Sequence, residues 1–237
     1  DYKKFLKKIG YLKDEGPYFK IETENVDEEI SKIAGPQLVV PIMNARYTLN
    51  AANARWVSLY DSLYGTNIIE SDEGGSERYD PLRGQEVIKY VREFFDKYIP
   101  IDGTSWKNIA GLKIVNKELI IMKDDYEYKL KNNENFIGHR GDIKKPEAVI
   151  LQNNRLHFEI IINPRAFSAA HDIAGISDVI AESAISTICD NEDSVAAVDG
   201  EDKVACYKNW LGLMKGNLKI QFEKKGKILE RKLNTDR

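Results

Sequence analysis

The sequence predicts an α/β fold in which a separate α+β domain interrupts a framework of β/α units. Three observations support this prediction. A short apolar run, QLVVPI at residues 37–42, is followed at once by a helical pattern. Hairpin patterns then dominate the middle of the chain, and a β/α pattern returns at residue 178. Because hairpins form antiparallel sheets, which do not belong to a parallel β/α layer, we expect two architectures in one chain.

The first β/α unit is predicted within residues 1–65. The run QLVVPI lacks alternation, which is typical of a strand covered on both faces in a parallel sheet or barrel. The next segment ends at Gly65 and predicts a helix from its apolar spacing. Its apolar residues are Leu49, Ala52, Trp56, Leu59 and Leu63. Before the strand, residues 1–36 combine a short basic amphipathic helix, a polar segment and a second helical turn.

The inserted α+β domain is predicted at residues 66–180. A loop at residues 71–84 precedes an amphipathic helix, and two hairpins follow, with turns around Asn116-Lys117 and Asn153-Asn154. The helix has one apolar stripe, formed by Val87, Ile88, Val91, Phe94, Phe95 and Tyr98. In the second hairpin, Leu156, Phe158 and Ile160 alternate with His157, Glu159 and Ile161.

A second β/α unit is predicted at residues 181–215. The segment DVIAESAI has a helical pattern, AISTICD at 184–190 is an apolar strand, and a helix-length amphipathic segment follows it. The remaining residues, 216–237, predict a hairpin around Lys225-Gly226 that rejoins the inserted sheet. Since the chain begins with Asp and ends just after a predicted strand, we expect a piece of a longer protein.

Composition excludes several classes of function. The 237 residues are 42% hydrophobic and 31% charged, and the net charge of −3 argues against a general nucleic-acid binder. No apolar run approaches the roughly 18 residues of a membrane span, and the N-terminus does not resemble a signal peptide. Cys189 and Cys206 lie in apolar segments and are expected to be reduced thiols. We therefore expect a cytoplasmic protein with no membrane partner.

An acidic cluster follows the apolar strand at residues 184–190. Asp190, Glu192 and Asp193 are close enough to repel one another unless a cation, hydrogen-bond donors or a helix N-terminus balances them. One interpretation is a functional site, because functional side chains gather at the carboxyl ends of barrel strands. The other is an acid-rich helix N-terminus with Ser194 as its cap. Further on, Asp199, Glu201 and Asp202 are expected on a solvated helix face.

A second polar cluster lies in NARYTLNAANARW, directly after the first strand. It consists of Asn44, Arg46, Asn50, Asn53 and Arg55. Such residues at the start of a helix can bind an anion or a nucleotide, because free backbone N–H groups point outward there. The alternative is that they cap the helix and make surface contacts.

Other polar residues point to no site. His139 and His171 are expected in loops and His157 on the polar face of a strand, so the histidines do not form a metal site. The tripeptide RGD at residues 140–142 is read as a chance occurrence. The chain has no G-x-S-x-G elbow, glycine-rich phosphate loop or H-E-x-x-H motif.

Two long stretches resemble the bacterial malate synthase family of the G isoform. They are GPQLVVPIMNARYTLNAANARWVSLYDSLYGTNII at residues 35–69 and ESAISTICDNEDSVAAVDGEDKVACYKNWLGLMKGNL at residues 182–218. The segments RGDIKKPEAVILQNNRLHFEI and RKLNTDR are also similar to this family. The resemblance covers essentially the whole chain and roughly the first third of that enzyme after its N-terminal helical region.

The resemblance implies a glyoxylate-cycle enzyme built on a TIM (β/α)8 barrel. It implies condensation of acetyl-CoA with glyoxylate and water to give malate and CoA, with Mg²⁺ holding the glyoxylate. In this interpretation QLVVPI is the first barrel strand, AISTICD is the second, and the segment between them is the inserted α+β domain of the G isoform. The partner of this chain would be the remainder of its own polypeptide.

The resemblance also assigns binding residues. The acetyl-CoA contacts of the family fall on Val39, Arg46, Tyr47, Ser194 and Arg231. The arginines suit the phosphates of CoA, Tyr47 can stack or close on the adenine or pantetheine, and Ser194 can donate a hydrogen bond. These side chains are therefore expected to meet at one acetyl-CoA site.

Asp190 and Glu192 match the family's acidic pair near the metal, where they bind water on Mg²⁺ rather than the ion. One departure is Asn191, where the family usually has Cys, which puts a thiol role at this position in doubt. The family's catalytic Arg, catalytic Asp and two direct Mg²⁺ carboxylates match nothing here. They are expected beyond Arg237, so these residues alone should be inactive.

Three functional hypotheses follow. The first is a segment of a malate synthase. The second is a non-catalytic binding or folding module that acts as it stands, and a stop codon directly after Arg237 in the natural gene would favour it. The third is another metal-dependent barrel lyase acting on a CoA thioester, which would accept aldehydes other than glyoxylate.

Overall fold

The computed structural model describes residues 1–20, 22, 24–70, 79–191 and 196–234. The chain divides into two compact units, residues 1–32 and residues 33–237. In the first unit, helix α1 (Tyr2–Lys8) begins at Asp1, whose side chain accepts a hydrogen bond from the Lys4 backbone. A second short helix, α2, covers Glu28–Ser31. The lysines of α1 are exposed to solvent.

In its described residues, the second unit combines four sheets with helices. The helices are α3 (Ala45–Asn53), α4 (Leu59–Tyr64), α5 (Pro81–Tyr98) and α6 (Gly200–Met214). The first strands are β1 (Gln37–Pro41), β2 (Trp56–Ser58), β3 (Gly111–Val115), β4 (Glu118–Lys123), β5 (Tyr126–Lys129) and β6 (Phe136–Asp142). The later strands are β7 (Lys145–Asn153), β8 (Leu156–Ile162), β9 (Ile176–Glu182), β10 (Ser186–Asp190), β11 (Lys219–Lys224) and β12 (Lys227–Lys232). Among the described helices, none has both the length and the apolar content that a membrane-crossing segment needs.

The two predicted β/α strands pair with each other. β1 and β10 form a two-stranded parallel sheet in which Gln37 lies opposite Ser186 and Pro41 opposite Asp190. Their sequence separation is large, yet both carboxyl ends lie at the same edge. A parallel pair of this kind requires a crossover, and here the whole inserted region lies within that crossover.

The inserted region contains the main hydrophobic core. A five-stranded sheet in the order β2-β9-β8-β7-β6 and a three-stranded sheet in the order β3-β4-β5 enclose the apolar face of α5. The predicted stripe is confirmed except at its end, because Val87, Val91 and Phe95 are buried and Ile88 and Phe94 pack against the core, whereas Tyr98 is exposed. Trp106 is fully buried and donates its indole N–H to the carbonyl of Ile99 at 2.7 Å, so the polar atom of the largest core residue is satisfied.

The predicted hairpins form, with turns close to those expected. Asn116 and Lys117 both have positive φ, as a two-residue type I′ turn requires. The β7–β8 turn uses Asn154 and Arg155, one residue later than predicted. Lys225 and Gly226 form the turn between β11 and β12.

The single helix predicted across residues 44–65 is wrong. The chain leaves α3 after Asn53, forms β2, and enters α4 with Ser58 as its cap. A tertiary contact interrupts the helix, because residues 56–58 pair with β9 as an edge strand. The five-stranded sheet therefore takes one strand from before residue 66.

The helix predicted in DVIAESAI is also wrong. These residues belong largely to β9, which lies between β2 and β8 and is well covered on both faces. A short apolar run of this kind does not distinguish a buried strand from a buried helix by periodicity. The neighbouring strands decide the outcome.

The C-terminal hairpin does not rejoin the inserted sheet as predicted. In the described part of the chain, β11 and β12 pair only with each other and contact α3. Asn53 makes this connection, since its Nδ2 donates to the carbonyl of Lys232 and its Oδ1 accepts from the Asn234 backbone, each at 2.9 Å.

Candidate functional site

The corner between β1 and α3 is held by short-range hydrogen bonds. Asn44 caps the helix by accepting from the Tyr47 backbone N–H at 3.2 Å. Thr48 is buried, and its hydroxyl lies 3.1 Å from the carbonyls of both Pro41 and Asn44. This arrangement places Arg46 and Tyr47 in the first helical turn, immediately beyond the carboxyl end of β1.

Arg46 and Arg231 are brought to one pocket by the β11–β12 hairpin. The guanidinium carbon of Arg46 lies 5.3 Å from the ring centre of Phe222, and that of Arg231 lies 6.0 Å from it. Arg46 is also 5.5 Å from the ring of Tyr47. Arg231 donates from Nη1 to the side-chain oxygen of Asn50. Two arginines thus flank one aromatic ring at distances that favour cation–π attraction.

The pocket at this position has a volume of about 370 Å³. Its lining residues are Arg46, Asn50, Phe222, Glu223, Lys224 and Arg231. Three cationic side chains against one carboxylate make the pocket positive. Because guanidinium groups bind phosphate in a planar, two-pronged geometry and also stack on aromatic rings, the pocket suits a phosphorylated ligand with a ring system.

Asn50 and Asn53 hold the C-terminal hairpin on α3, and Asn50 also lines the positive pocket. Asn50 contacts Arg231, and Asn53 binds the backbone beyond β12. They hold the hairpin on the helix, which agrees with the capping and contact interpretation. Phe222 was not identified from sequence. The alternation of side chains along β11 could have indicated that Phe222 shares a hairpin face with Arg231. That this face meets Arg46 depends on how the hairpin packs on α3.

One face of the β1–β10 pair carries two predicted site residues. Val39 is 63% exposed and Ile188, its register partner, is 44% exposed. Asp190 lies two residues further along the same face, opposite Pro41. On the other face, Thr187 and Cys189 line a cavity with residues of α3 and α6. Val39 and Asp190 are therefore on the open side of the sheet, away from the helices.

The segment after Asp190 is anchored by Asn191. Its Oδ1 accepts from the Ala197 backbone N–H at 3.0 Å and lies 3.9 Å from the sulfur of Cys206 in α6. From the same helix, Asn209 donates to the carbonyl of Ile42 at 2.8 Å. Neither asparagine was selected from sequence as a tethering residue, because both contacts connect segments that only the fold brings together.

Glu192 and Ser194 lie outside the residues that the structure describes. The capping interpretation for Ser194 therefore stays a prediction. The described helix α6 begins at Gly200, and its cap is Asp199, which accepts from the Asp202 backbone at 2.9 Å. Asp199 is thus the cap of α6, and it is exposed to solvent together with Glu201, whereas Asp202 is half-buried.

The described residues contain no cluster of three or more His, Cys, Asp or Glu side chains suited to a metal ion. Asp190 makes no salt bridge with any described residue, so its carboxylate is available to a cation or to water bound on one. His139 was expected in a loop but lies in β6. His157 is held at 2.7 Å from Glu182.

The tripeptide RGD lies within β6 and is not displayed on a loop. Arg140 makes two hydrogen bonds to Glu159, at 2.8 and 2.6 Å. Gly141 has φ of 81° at a register shift, and a Cβ there would lie 2.9 Å from the backbone nitrogen of Glu147. The three residues are exposed and take part in the β6–β7 pairing.

Both cysteines are free thiols. Cys206 is fully buried, and burial raises the pKa of the Cys189 thiol above its ordinary value. A raised pKa lowers the thiolate fraction, and the thiolate is the nucleophile. The thiols therefore act as packing groups.

Comparison with known proteins gives a consistent result. Residues 79–153 match the family described as malate synthase G, alpha-beta insertion domain. The malate synthase G of Corynebacterium glutamicum is 50% identical over 238 residues, which cover 100% of this chain and 32% of that protein. The chain is homologous to malate synthase G. The resemblance recognised in the sequence is thereby confirmed.

Two further relatives have the same name. The malate synthase G of Corynebacterium efficiens is 49% identical and that of Halalkalibacterium halodurans is 48% identical. In both cases the match covers 100% of this chain, and it covers 32% and 33% of the relative. The chain thus spans about a third of the length of the malate synthase G proteins it matches, and it contains their insertion domain within a mixed α/β fold.

Proposed function

We propose that the chain forms the first two β/α units of a (β/α)8 barrel, together with the inserted domain, in a malate synthase. The parallel β1–β10 pair supports this proposal, because its helices α3 and α6 lie on one side and the other side is open, as in an incomplete barrel wall. The domain limits proposed from sequence, 66 and 180, are kept for the insertion, with β2 and α4 contributing to its edge.

The proposed reaction is the condensation of acetyl-CoA with glyoxylate and water to give malate and CoA, a step of the glyoxylate cycle. The single observation that carries the proposal is the convergence of Arg46 and Arg231 on Phe222. Family resemblance assigns both arginines to acetyl-CoA, although they are far apart in sequence. Their meeting in one positive pocket is what a shared phosphate-bearing ligand requires.

The family resemblance proposes three further contacts to acetyl-CoA, from Tyr47, Val39 and Ser194. Tyr47 is 46% exposed beside Arg46, so its ring is available to the adenine or pantetheine. Val39 is exposed on the open face of the sheet and can contact the apolar part of the same ligand. Ser194 is proposed to donate a hydrogen bond to it.

Asp190 and Glu192 are proposed to bind water molecules on Mg²⁺. Asp190 fits this role because it stands at the carboxyl end of β10 without a salt-bridge partner among the described residues, and octahedral Mg²⁺ usually retains several waters. When bound, the metal holds glyoxylate and balances its negative charge. The residues that contact the metal directly are proposed to lie beyond Arg237.

The acetyl-CoA assignment is tested by changing Arg46 or Arg231 to Ala in the full-length natural protein. The KM for acetyl-CoA should rise by about tenfold or more, because a charge-assisted hydrogen bond to phosphate is lost. The KM for glyoxylate should change little, since a contact remote from the reacting carbon contributes uniform binding.

Arg165→Ala provides the control, because Arg165 is an exposed arginine between β8 and β9 and does not line the pocket. It should leave both KM values unchanged. A larger effect on glyoxylate than on acetyl-CoA in the Arg46 or Arg231 variants would place these residues at a different part of the site.

A further inference from the structure

The inserted domain contains a second cavity, which the proposed acetyl-CoA site does not use. Its volume is about 470 Å³, within the range of small-molecule sites. Four residues of α5 line one wall, at positions that share a helix face: Gln85, Ile88, Lys89 and Arg92. The rest of the lining comes from two loops and consists of Lys107, Asn108, Ile109, His171, Asp172 and Ile173.

Arg92 is the buried charge of this cavity. Its side chain is 4% exposed and forms an ion pair through Nη2 with Asp172, which is 6% exposed. Its other terminal nitrogen, Nη1, is buried and has no hydrogen-bond partner among the described residues. A guanidinium group has five N–H donors, and leaving a buried charged donor unsatisfied is costly. Arg92 lines the cavity, and part of its donor capacity is not used by the described residues.

Further basic groups surround Arg92. Lys89 and Lys107 line the cavity, and their partners Glu86 and Glu93 do not. Both of these ion pairs are half-exposed, at 3.0 and 3.3 Å, and exposed pairs contribute little to stability. The lysines can therefore turn to a ligand at small cost. The one carboxylate in the lining, Asp172, is already bound to Arg92.

Three isoleucines also line the cavity, and one of them, Ile88, lies on the α5 wall beside Lys89. Ile109 is 2% exposed and Ile88 packs against the main core, whereas Ile173 is 73% exposed. A large exposed isoleucine next to a polar cavity leaves apolar surface that a ligand can cover. The cavity lining therefore combines basic side chains with a small apolar surface, most of it exposed at Ile173.

We infer that this cavity binds a small organic anion whose carboxylate or phosphate head contacts Arg92 and Lys107 and whose short apolar body lies along the isoleucines. The inference is independent of the proposed malate synthase activity. It assigns a ligand site to the inserted domain, whose side chains are distinct from those of the Arg46–Arg231 pocket.

The test measures binding to the 237-residue chain by calorimetry and by NMR shift perturbation. Hexanoate and hexyl phosphate carry the two possible heads on the same body, 1-hexanol lacks the charge, and inorganic phosphate lacks the body. At least one of the two hexyl anions should bind with a Kd tighter than about 1 mM and shift the resonances of residues 107–109 and 171–173. Both 1-hexanol and inorganic phosphate should bind at least about tenfold more weakly.

Lys107→Gln tests the position of the anion. It should weaken binding of the preferred hexyl anion by about tenfold. The matched control is Lys129→Gln, because Lys129 is 54% exposed against 52% for Lys107 and also forms an ion pair with a glutamate, but it lies outside the cavity. This variant should bind as the parent does.

Three results would overturn the inference. The first is that neither hexyl anion binds, which means that water alone satisfies Arg92. The second is that 1-hexanol binds as tightly as the anions, and the third is that the two lysine variants behave alike. Because Lys107 is half-exposed, its replacement should not unfold the domain, and circular dichroism of both variants checks this.

Discussion

Phe222 is the residue around which the candidate acetyl-CoA pocket is organised. It lies diagonally across the β11–β12 hairpin from Arg231, because Ile220 pairs with Arg231 and Phe222 with Leu229. Arg46 reaches the same ring from α3. Each arginine is also fixed by a neighbour, Tyr47 in one case and Asn50 in the other. The pocket thus positions two flexible side chains before any ligand arrives.

At the metal-proximal end of the site, Glu192→Ala in the full-length protein should reduce turnover or the apparent affinity for Mg²⁺. The expected loss is about 10–100-fold, as is typical when a group that binds metal-bound water is removed. The measurement is initial rate across a Mg²⁺ titration. Glu201→Ala, in the first turn of α6, is the control and should leave the titration unchanged. Equal curves for Glu192→Ala and the unmodified protein would rule out the proposed role.

A second residue-scale prediction concerns Asp178 in β9. Burial raises the pKa of its carboxyl, although hydrogen bonds from the Ser58 hydroxyl and the Val179 backbone act in the opposite direction. The folded state therefore keeps this proton to a higher pH than the unfolded state, and stability falls as the pH rises from the ordinary Asp pKa through the raised value. Replacement of Asp178 by Asn removes this contribution to the pH dependence of stability, because the amide does not titrate.

The check is the free energy of unfolding of the parent and Asp178→Asn at several pH values. The free energy of unfolding of the variant minus that of the parent should increase as the pH is raised from about 3 to about 7. Asp102→Asn, at an exposed position, should show no such trend. A constant difference for Asp178→Asn would show that burial does not perturb this carboxyl.

At the scale of elements, α5 is joined to the loop before β9 by the Arg92–Asp172 ion pair. Asp172 also accepts from the Ile176 backbone N–H at 3.1 Å, so one carboxylate orders both the helix and the start of the strand. Asp172→Asn leaves a buried guanidinium without its counter-charge. We expect it to lower the free energy of unfolding by about 3 kcal/mol.

Urea unfolding of the 237-residue chain provides this measurement. The control is Glu127→Gln, which removes the charge from an ion pair with Lys113 in which Glu127 is 58% exposed. That change should cost less than about 1 kcal/mol. If the two variants lose the same amount, the buried pair does not connect these elements energetically.

For the whole molecule, the prediction is that these 237 residues alone have no malate synthase activity. The β1–β10 sheet has two strands, and in the described residues neither outer edge is paired. A closed barrel needs all its strands in register. We also propose, from the family resemblance, that the catalytic Arg and Asp have no counterpart among these residues.

A thiol-release assay with acetyl-CoA, glyoxylate and Mg²⁺ checks this prediction. The chain should release no CoA above the blank, and the full-length protein should be active in the same assay. Turnover of the chain near that of a typical enzyme, about 10 s⁻¹, would place the active site within these residues. An inactive full-length protein would instead contradict the proposed function.

The sequence by itself determined those elements whose pattern is local. The strands at residues 37–41 and 186–190, the stripe of α5 and the two-residue turns all follow from apolar runs, helical spacing and residues that tolerate positive φ. The similarity to malate synthase G was also recognised at this level, because long stretches of residues could be compared directly. These signals do not depend on which parts of the chain later meet.

Only the tertiary structure decided the remaining features. Residues 56–58 and 176–182 are strands because neighbouring strands offer them backbone partners, although their own spacing indicated helices. Arg46 meets Arg231, and Arg92 is buried beside Asp172, through contacts between segments far apart in sequence. The physical reason is that strand pairing and side-chain burial are properties of two surfaces together, and a periodicity within one segment describes only one of them.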